Sequence, residues 1–469
     1  MRTSKIFCLK LILLALTATL LNGYEHKPQS SQSTPGLWDP FLDSLQVRTL
    51  RYFLETTDSA TGLAYDRWPS PSPSSIAAVG FALTSYPLAA ERQLITRREA
   101  ARRVRNTLQF FWQLPQSEQA QGIGGYKGFF YHFLKIPQGT REWNCELSTM
   151  DTALLLAGAL FCQSYFDGSN AEEQTVRALA DSLYRRVDWK WAMDNRDGVT
   201  MGWTPEKGFH DMIWEGFNEA MIVYILALGS PTHPVPESAW QAWTASYKWR
   251  KDCRQEFVSF GPLFGHHYSH CWIDFRGIQD HYMRQKGIDY FENTRRATYA
   301  QREYARRNPN GYRDYSENIW GFTACDGPGN SSFVVDGRRR KFKGYSARSV
   351  CHEWLDEDGT LAPTAPGGSL PFAPEICIPA LKTMKEKYGE QLWTKYGFLD
   401  AFNPTFITAK TPNGWFDRDY LGIDQGPIVI MSENLRSGLV WEVMKKNPYV
   451  VAGLKRAGFS GGWLNADSK

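Results

Sequence analysis

The chain has 469 residues, with 53 Lys and Arg against 49 Asp and Glu, and aromatic residues make up 14% of it. Three of the bases fall in residues 1–23, leaving 50 bases against 49 acids in the remainder. That balance argues against a partner such as nucleic acid or an anionic membrane surface. The 18 Trp often stand beside Gly, Asp and Asn, where an aromatic face could cover the C–H face of a sugar. A large core that simply uses many aromatics accounts for them equally well.

The N-terminus reads as an export signal. Arg2, Lys5 and Lys10 precede or open the apolar run Leu11 to Leu21, and Asn22 and Gly23 follow as an imprecise cleavage region. The run is too short for a membrane span, which takes roughly 20 apolar residues. Residues 1–23 are therefore expected to be a signal peptide, residues 24–36 a disordered polar leader, and residues 37–469 one catalytic domain. Seven cysteines remain (145, 162, 253, 271, 325, 351 and 377) with no CxxC pair, so free thiols with at most one bridge are expected.

Helical spacing begins at Phe41 and continues through Leu42, Leu45, Leu50, Phe53 and Leu54. A second helix is predicted from Ser75. A third, over 96–114, opens with the capping box Thr96-x-x-Glu99 and carries the stripe Ala100, Val104, Leu108 and Phe111. Further helices are predicted at 149–165, 171–187, 213–229, 237–250, 279–307, 374–387, 389–397 and 425–446. Some of these are amphipathic, whereas 151–160 and 219–228 are apolar all round, the pattern of a helix buried on most sides. Half-exposed helices alternating with buried ones suggest two concentric layers. Long loops rich in Gly, Trp, Tyr, Asp and Pro separate them, at 115–145, 188–214, 252–278, 308–373 and 398–424, and loops of that length are commonly functional. The segment 124–136 has the character of a short hairpin.

Five clusters carry the candidate chemistry. In WEGFNEA, Glu215 and Glu219 lie four apart, on one face of a continuous helix, flanked by Trp214 and Phe217. A partly desolvated Glu215 would have the raised pKa a general acid needs; a helix-start carboxylate is the plainer account, and it suits Glu219 as well. In REWNCELSTMD, Asp151 completes a capping box with Ser148, while Glu146 has no evident structural duty. In GIDQGP, Asp424 reads as an N-cap or as a carboxylate at a cleft rim, and Glu433 as a partner of Arg436. Trp320 and Asp326 stand among glycines. In FGHHYSHCWIDFRG, Gly265 and the aromatic context indicate a loop from which His267, Tyr268, Asp274 and Arg276 would bond sugar hydroxyls, in preference to a zinc site on His266 and His270. Asp356 and Asp358 before Gly359 lack the remainder of a calcium loop. Walker A, dinucleotide-binding and nucleophile-elbow motifs are absent from the sequence.

Seven blocks, GLAYDRWP with SIAAVGFAL, NCELSTMDTALLLAG, WEGFNEAMIVYIL, FGHHYSHCWIDFRG, DYFENTRRAT, YSENIWGFTACDGP and LGIDQGPIVIMSEN, resemble the glycoamylase-like domain family. Within it the likeness is to the β-1,2-glucanases of glycoside hydrolase family 144, over about Trp38 to Trp463. The resemblance implies an all-α fold, a single (α/α)6 barrel, and hydrolysis of β-1,2-glucan with inversion. It brings Asp66 and Arg67 into view as substrate-binding residues and adds Asp400 to the catalytic candidates Glu215, Glu146, Asp424 and Asp151. Trp214, Glu219, His267, Tyr268, Asp274, Arg276, Trp320 and Asp326 are expected to contact substrate. Which carboxylate is acid and which is base stays open, as does endo against exo action. A hydrolase of another glucan linkage and a non-catalytic periplasmic glucan-binding protein are the competing readings. The expected partner is a glucan; no cofactor, metal, nucleic acid or membrane span in the mature chain is expected, and the protein is expected to be a monomer in the periplasm or secreted.

Overall fold

A computed structural model describes residues 38–351 and 354–468. The predicted signal peptide and leader, residues 1–36, lie outside the described residues. Helices come in pairs along the chain. α1 (Pro40–Thr56) and α2 (Ile76–Glu91) form the first pair, and α3 (Arg97–Gln113) and α4 (Thr149–Tyr165) the second. α5 (Ala171–Arg186) and α6 (Met221–Gly229) are the third, and α7 (Ser238–Ala245) and α8 (Phe264–Trp272) the fourth. After the short α9 (His281–Lys286) come α10 (Tyr290–Arg307) with α11 (Thr364–Gly368), then α12 (Pro374–Tyr388) with α13 (Gly422–Arg436). α14 (Leu439–Met444) and α15 (Pro448–Arg456) follow.

The second member of each pair lies inside. α2, α4, α6, α8, α11 and α13 pack each against the next, and α13 closes the ring on α2. Their composition accounts for the placement: every residue of α6 is buried, as is α2 from Ile76 to Ala89. The first members face solvent on one side. α3 buries Ala100, Ala101, Val104, Thr107, Leu108 and Phe111 and turns its Arg-rich face outward. This is the all-α barrel that the layering and the resemblance predict. No helix among the described residues is long and apolar enough to cross a membrane, and the seven described cysteines are all free.

Several predicted boundaries differ. The helix predicted over 213–229 starts only at Met221, because Gly216 takes a left-handed conformation (φ +71°) and Asn218 turns the chain by accepting from the Ala220 amide. The predicted helix 279–307 breaks at Gly287 and 425–446 breaks at Gly438, both left-handed. Residues 389–397 form a 3-10 turn and a two-residue ladder instead of a helix, and 249–252 pair with 255–258 as a hairpin. Conversely, the stretch 252–278, predicted as loop, contains α8. Gly265 lies inside it because the Phe260 ring packs where a Cβ would stand, 2.2 Å away.

The inner helices α2 and α4 touch through glycines. A Cβ added at Gly80 would stand 2.2 Å from the Leu154 carbonyl oxygen, and one at Gly158 would stand 2.2 Å from the Gly80 carbonyl oxygen. Both glycines let two inner backbones touch. Gly158→Ala is expected to cost about 1–3 kcal/mol by forcing the helices apart, measured by denaturant unfolding. Because both substitutions open the same contact, Gly80→Ala with Gly158→Ala should cost less than the sum of the two.

Candidate active site

The inner helices all begin at one end of the barrel, and the acidic residues gather there. Asp151 lies in the first turn of α4, Asp424 in the first turn of α13, and Glu219 two residues before α6. Pairing of Arg67 with Leu421 and of Trp68 with Tyr420, with the Gly422 amide donating to the Asp66 carbonyl (2.8 Å), fixes Asp66 and Arg67 beside the start of α13. The Asp326 amide donates to Asp400 Oδ2 at 2.8 Å, and the Asp400 amide donates to the Asp419 carbonyl at 3.0 Å. Residues scattered over some 360 positions of sequence therefore share one wall.

Arg67 is the cation of that wall. Its guanidinium spans Asp326, with Nη1 at 2.5 Å from Oδ2 and Nη2 at 3.4 Å from Oδ1, and approaches Asp66 at 3.6 Å. Around it stand Asp66, Asp326, Asp400, Asp417, Asp419 and Asp424, more acid than one cation neutralises. The consequence is protonation. Burial, together with the charges of Asp424 and Asp326, pushes the Asp400 carboxyl far above the carboxylate range. Asp424 is raised to about 7, chiefly by burial, and shares a hydrogen bond with Asp400. Burial and the charges of Asp400 and Asp326 raise Asp417 to about 8. Apart from the Asp400–Asp424 contact, Asp400 Oδ1, Asp417 Oδ2 and Asp424 Oδ2 are buried and receive no hydrogen bond from an N–H or hydroxyl. Asp326, Asp417 and Asp419 also bring carboxylate oxygens within 4.8 Å of one another, a spacing compatible with a cation, but the Arg67 guanidinium already pairs with Asp326.

Glu219 and Glu215 part company. Glu219 Oε2 is sealed from water with no partner, and burial, with the nearby charge of Asp151, raises its pKa to about 7. Glu215 is exposed, in a groove of about 330 Å³ lined also by Asn218, Lys248, Phe260 and Trp354. The predicted common helical face, and the partial desolvation expected of Glu215, are both lost because the backbone turns at Gly216. Trp214 is half-buried and donates from Nε1 to Thr149 Oγ1 at 2.9 Å.

A third group lies between them. His132, on the hairpin segment that sequence reasoning did not single out, places Nδ1 at 2.8 Å from Glu146 Oε1 and Nε2 at 3.5 Å from Asp151 Oδ1. Tyr268 is buried with its hydroxyl toward Asp424, Glu219 and Asp151, and burial keeps that hydroxyl protonated as a donor. Tyr345 overhangs Asp424, Asp400 and Asp66 with its side chain 56% exposed. It, Asp417 and Asp419 were equally missed.

Four predicted substrate contacts are structural instead. His267 is buried with Nε2 at 2.8 Å from Ser369 Oγ, within the helix that replaces the predicted loop. Asp274 is buried against Arg276 (2.8 Å) and Lys445 (2.9 Å), and Arg276 lies over the Trp441 ring at 4.4 Å. Trp320 is fully buried and offers no face to a ligand. His266 and His270 are also buried, and burial lowers their pKa values to about 4 and about 3, so neutral rings bond Phe260 O and Thr294 Oγ1. Asp358 is committed to Arg348 at 2.8 Å, Asp356 pairs with Lys343, and Glu433 bonds Arg436 (2.7 Å) and Gln46 (2.7 Å).

Comparison with known proteins places this arrangement. The family model described as "Putative glucoamylase" matches residues 211–448. A crystal structure from Bacteroides uniformis ATCC 8492, described in the same terms, is 31% identical with a TM-score of 0.79, over 90% of this chain and 98% of that one. An endo-β-1,2-glucanase of Chitinophaga pinensis, solved with sophorotriose and glucose, is 26% identical with a TM-score of 0.77, over 90% of this chain and 98% of that one. An exo-β-1,2-glucooligosaccharide sophorohydrolase (non-reducing end) of Parabacteroides distasonis is 27% identical over 94% of this chain, which spans 61% of that relative's length. By the family model and by identity along nearly its whole described length, the chain belongs to the glycoamylase family.

Proposed function

We propose that the chain is an exported glycoside hydrolase that cleaves β-1,2-linked glucan with inversion, Glu219 acting as the general acid and Asp424, paired with Asp400, as the base. The observation that carries this is a barrel mouth holding two kinds of carboxyl: a half-buried Glu219, its Oε2 sealed from water and its pKa raised to about 7, and a buried Asp400–Asp424 pair. Two buried carboxyls that raise each other's pKa release their protons in separate steps, so the pair passes through a singly charged state in which one carboxylate can act as base. Inversion needs both functions at once. A protonated carboxyl gives its proton to the glycosidic oxygen as that bond breaks, while a carboxylate takes a proton from the water that forms the new bond at the anomeric carbon from the opposite face. Glu219 stands just before α6 and Asp424 in the first turn of α13, so acid and base come from different parts of the mouth, as inversion around a water requires. Glu146, whose ionised form His132 favours, is suited to binding sugar hydroxyls rather than to donating a proton.

The β-1,2 linkage is supported by the relatives from Chitinophaga pinensis and Parabacteroides distasonis, whose names specify it. The description of the family model favours a second reading, a glucan of another linkage. Export rests on Arg2, Lys5, Lys10 and the apolar run after them, and N-terminal sequencing of protein recovered outside the cytoplasm, starting near residue 24, is its test.

Incubation with linear β-1,2-glucan, β-1,3-glucan, starch and maltooligosaccharides is expected to yield products from the first alone, with NMR showing the α-anomer first; activity confined to starch would overturn the linkage. Glu219→Gln should lower kcat by at least roughly 100-fold, while Glu215→Gln should keep kcat within about tenfold and act mainly on KM. Equal losses, or the reverse order, would return the acid role to Glu215. An acid must be protonated to act, so kcat/KM should fall as pH rises through about 7, the value to which burial raises Glu219. The same shift has a stability sign. With a folded pKa above the unfolded one, Glu219 favours folding relative to an ionised carboxyl below about pH 4.5, and this is lost as pH rises to about 7. Glu219→Gln should therefore gain stability relative to wild type across that window, read as a rising difference in Tm.

A further inference from the structure

We infer that His132 is a positioning residue of the hydrolytic site, an imidazolium that hydrogen-bonds Glu146 and ion-pairs with Asp151, holding both in one orientation across the cleft. The inference rests on the proposed hydrolysis and adds to it a group that no sequence motif marks.

The geometry requires the cation. Both ring nitrogens face carboxylate oxygens, Nδ1 at 2.8 Å from Glu146 and Nε2 at 3.5 Å from Asp151. A neutral imidazole has one N–H, so either tautomer would set a lone pair against an anionic oxygen. Only the imidazolium presents an N–H to Glu146 and a second N–H toward Asp151. The ring cannot turn freely, because it stacks on Phe133 with centroids 4.1 Å apart. Its backbone is fixed too: the His132 amide donates to the Glu146 carbonyl (2.9 Å), and its carbonyl accepts from the Ile76 amide at the start of α2 (3.2 Å). Asp151 is held from its other side by the Ser148 hydroxyl.

The surroundings favour the charge. Burial works against it, but Asp151, Glu146 and, farther off, Asp66 outweigh burial and raise His132 to about 9. In return, burial opposes ionisation of Glu146, yet the His132 hydrogen bond and charge, with a contribution from His210, hold its pKa below the ordinary value. The other charged groups nearby are Arg67, which faces Asp66, and Glu219, which feels Asp151. His132 thus separates two roles on one rim. It fixes Glu146 and Asp151 as acceptors, and the Asp151 charge so held contributes to keeping the neighbouring Glu219 protonated.

The test combines a titration with a split of KM against kcat. In the full chain labelled with [13Cε1]histidine, the resonance lost in His132→Asn is assigned to His132. It is expected to stay in the protonated range through pH 8, and to titrate at least one pH unit lower in Glu146→Gln. Titration near pH 6.5 in the wild type, or no change in Glu146→Gln, would overturn the clamp. His132→Asn should retain Tm within a few degrees and raise KM about tenfold with a smaller fall in kcat, because Glu146 and Asp151 lose the cation that orients them as acceptors. A folded His132→Asn whose KM is unmoved would also overturn it, and if that variant does not fold, the Glu146→Gln titration decides. Should the wild type hydrolyse no β-1,2-glucan, the hydrolase reading falls by that result alone, while the histidine titration still settles whether the clamp exists.

Discussion

The inner helices of a closed ring built by alternating outer and inner members must all run the same way, and everything at the site depends on that. Their N-termini converge on one mouth, so unpaired amides and the positive ends of the longer dipoles face a common space. Carboxylates in first turns are favoured there, which is where Asp151 and Asp424 stand. The contact that sets the ring's tightness is the glycine-mediated approach of α2 and α4. The opposite end has no such field, and its buried charge is paired conventionally, as in Asp274 with Arg276 and Lys445.

Concentrating acids has a limit set by desolvation. With Arg67 beside Asp326 and His132 between Glu146 and Asp151, two cations serve at least eight carboxyls, and the remainder can be buried only as acids or as proton-sharing pairs. The site therefore sorts its carboxyls by their neighbours. Glu146, bonded to His132, is held below the ordinary carboxyl value, whereas Glu219 and the Asp400–Asp424 pair, with no cation against them, acquire pKa values near or above neutrality. A proton donor and an acceptor arise from residues of the same chemistry, distinguished by what stands beside them.

This sorting explains what was legible in the sequence. Capping patterns and apolar runs located α2, α3, α4 and α5 well, because their signals are local: Ser148 does cap α4, and Thr96 does cap α3. Glu146, Asp151 and Asp424 were found for the same reason, as acids at readable helix starts. Asp66, Arg67 and Asp400 needed the resemblance, since their significance lies in contacts across hundreds of residues, such as Arg67 with Leu421. His132 sits in an aromatic hairpin with no pattern of its own. Its meaning appears only when Glu146 is folded back against it.

Glu215 and Glu219 show where periodicity misleads. The i, i+4 reading assumed a helix through WEGFNEA, although Gly216 stood between them as a residue that readily takes a left-handed turn. Once it does, Glu215 swings to the outer groove beside Trp354, and Glu219 turns into the water-poor space beside Tyr268 and Asp151. An acid needs that poverty of water; a rim residue does not. The same turn that separates them puts the Glu215 groove next to the buried acid in the chain, so a single loop carries both a proton donor and an exposed carboxylate with an aromatic neighbour. A polymeric substrate needs both, since the energy gained in holding its remote units is what allows the reacting unit to be positioned. In the proposed hydrolase the loop before α6 would join binding to chemistry, and the left-handed Gly216 is the residue that holds its two carboxyls apart.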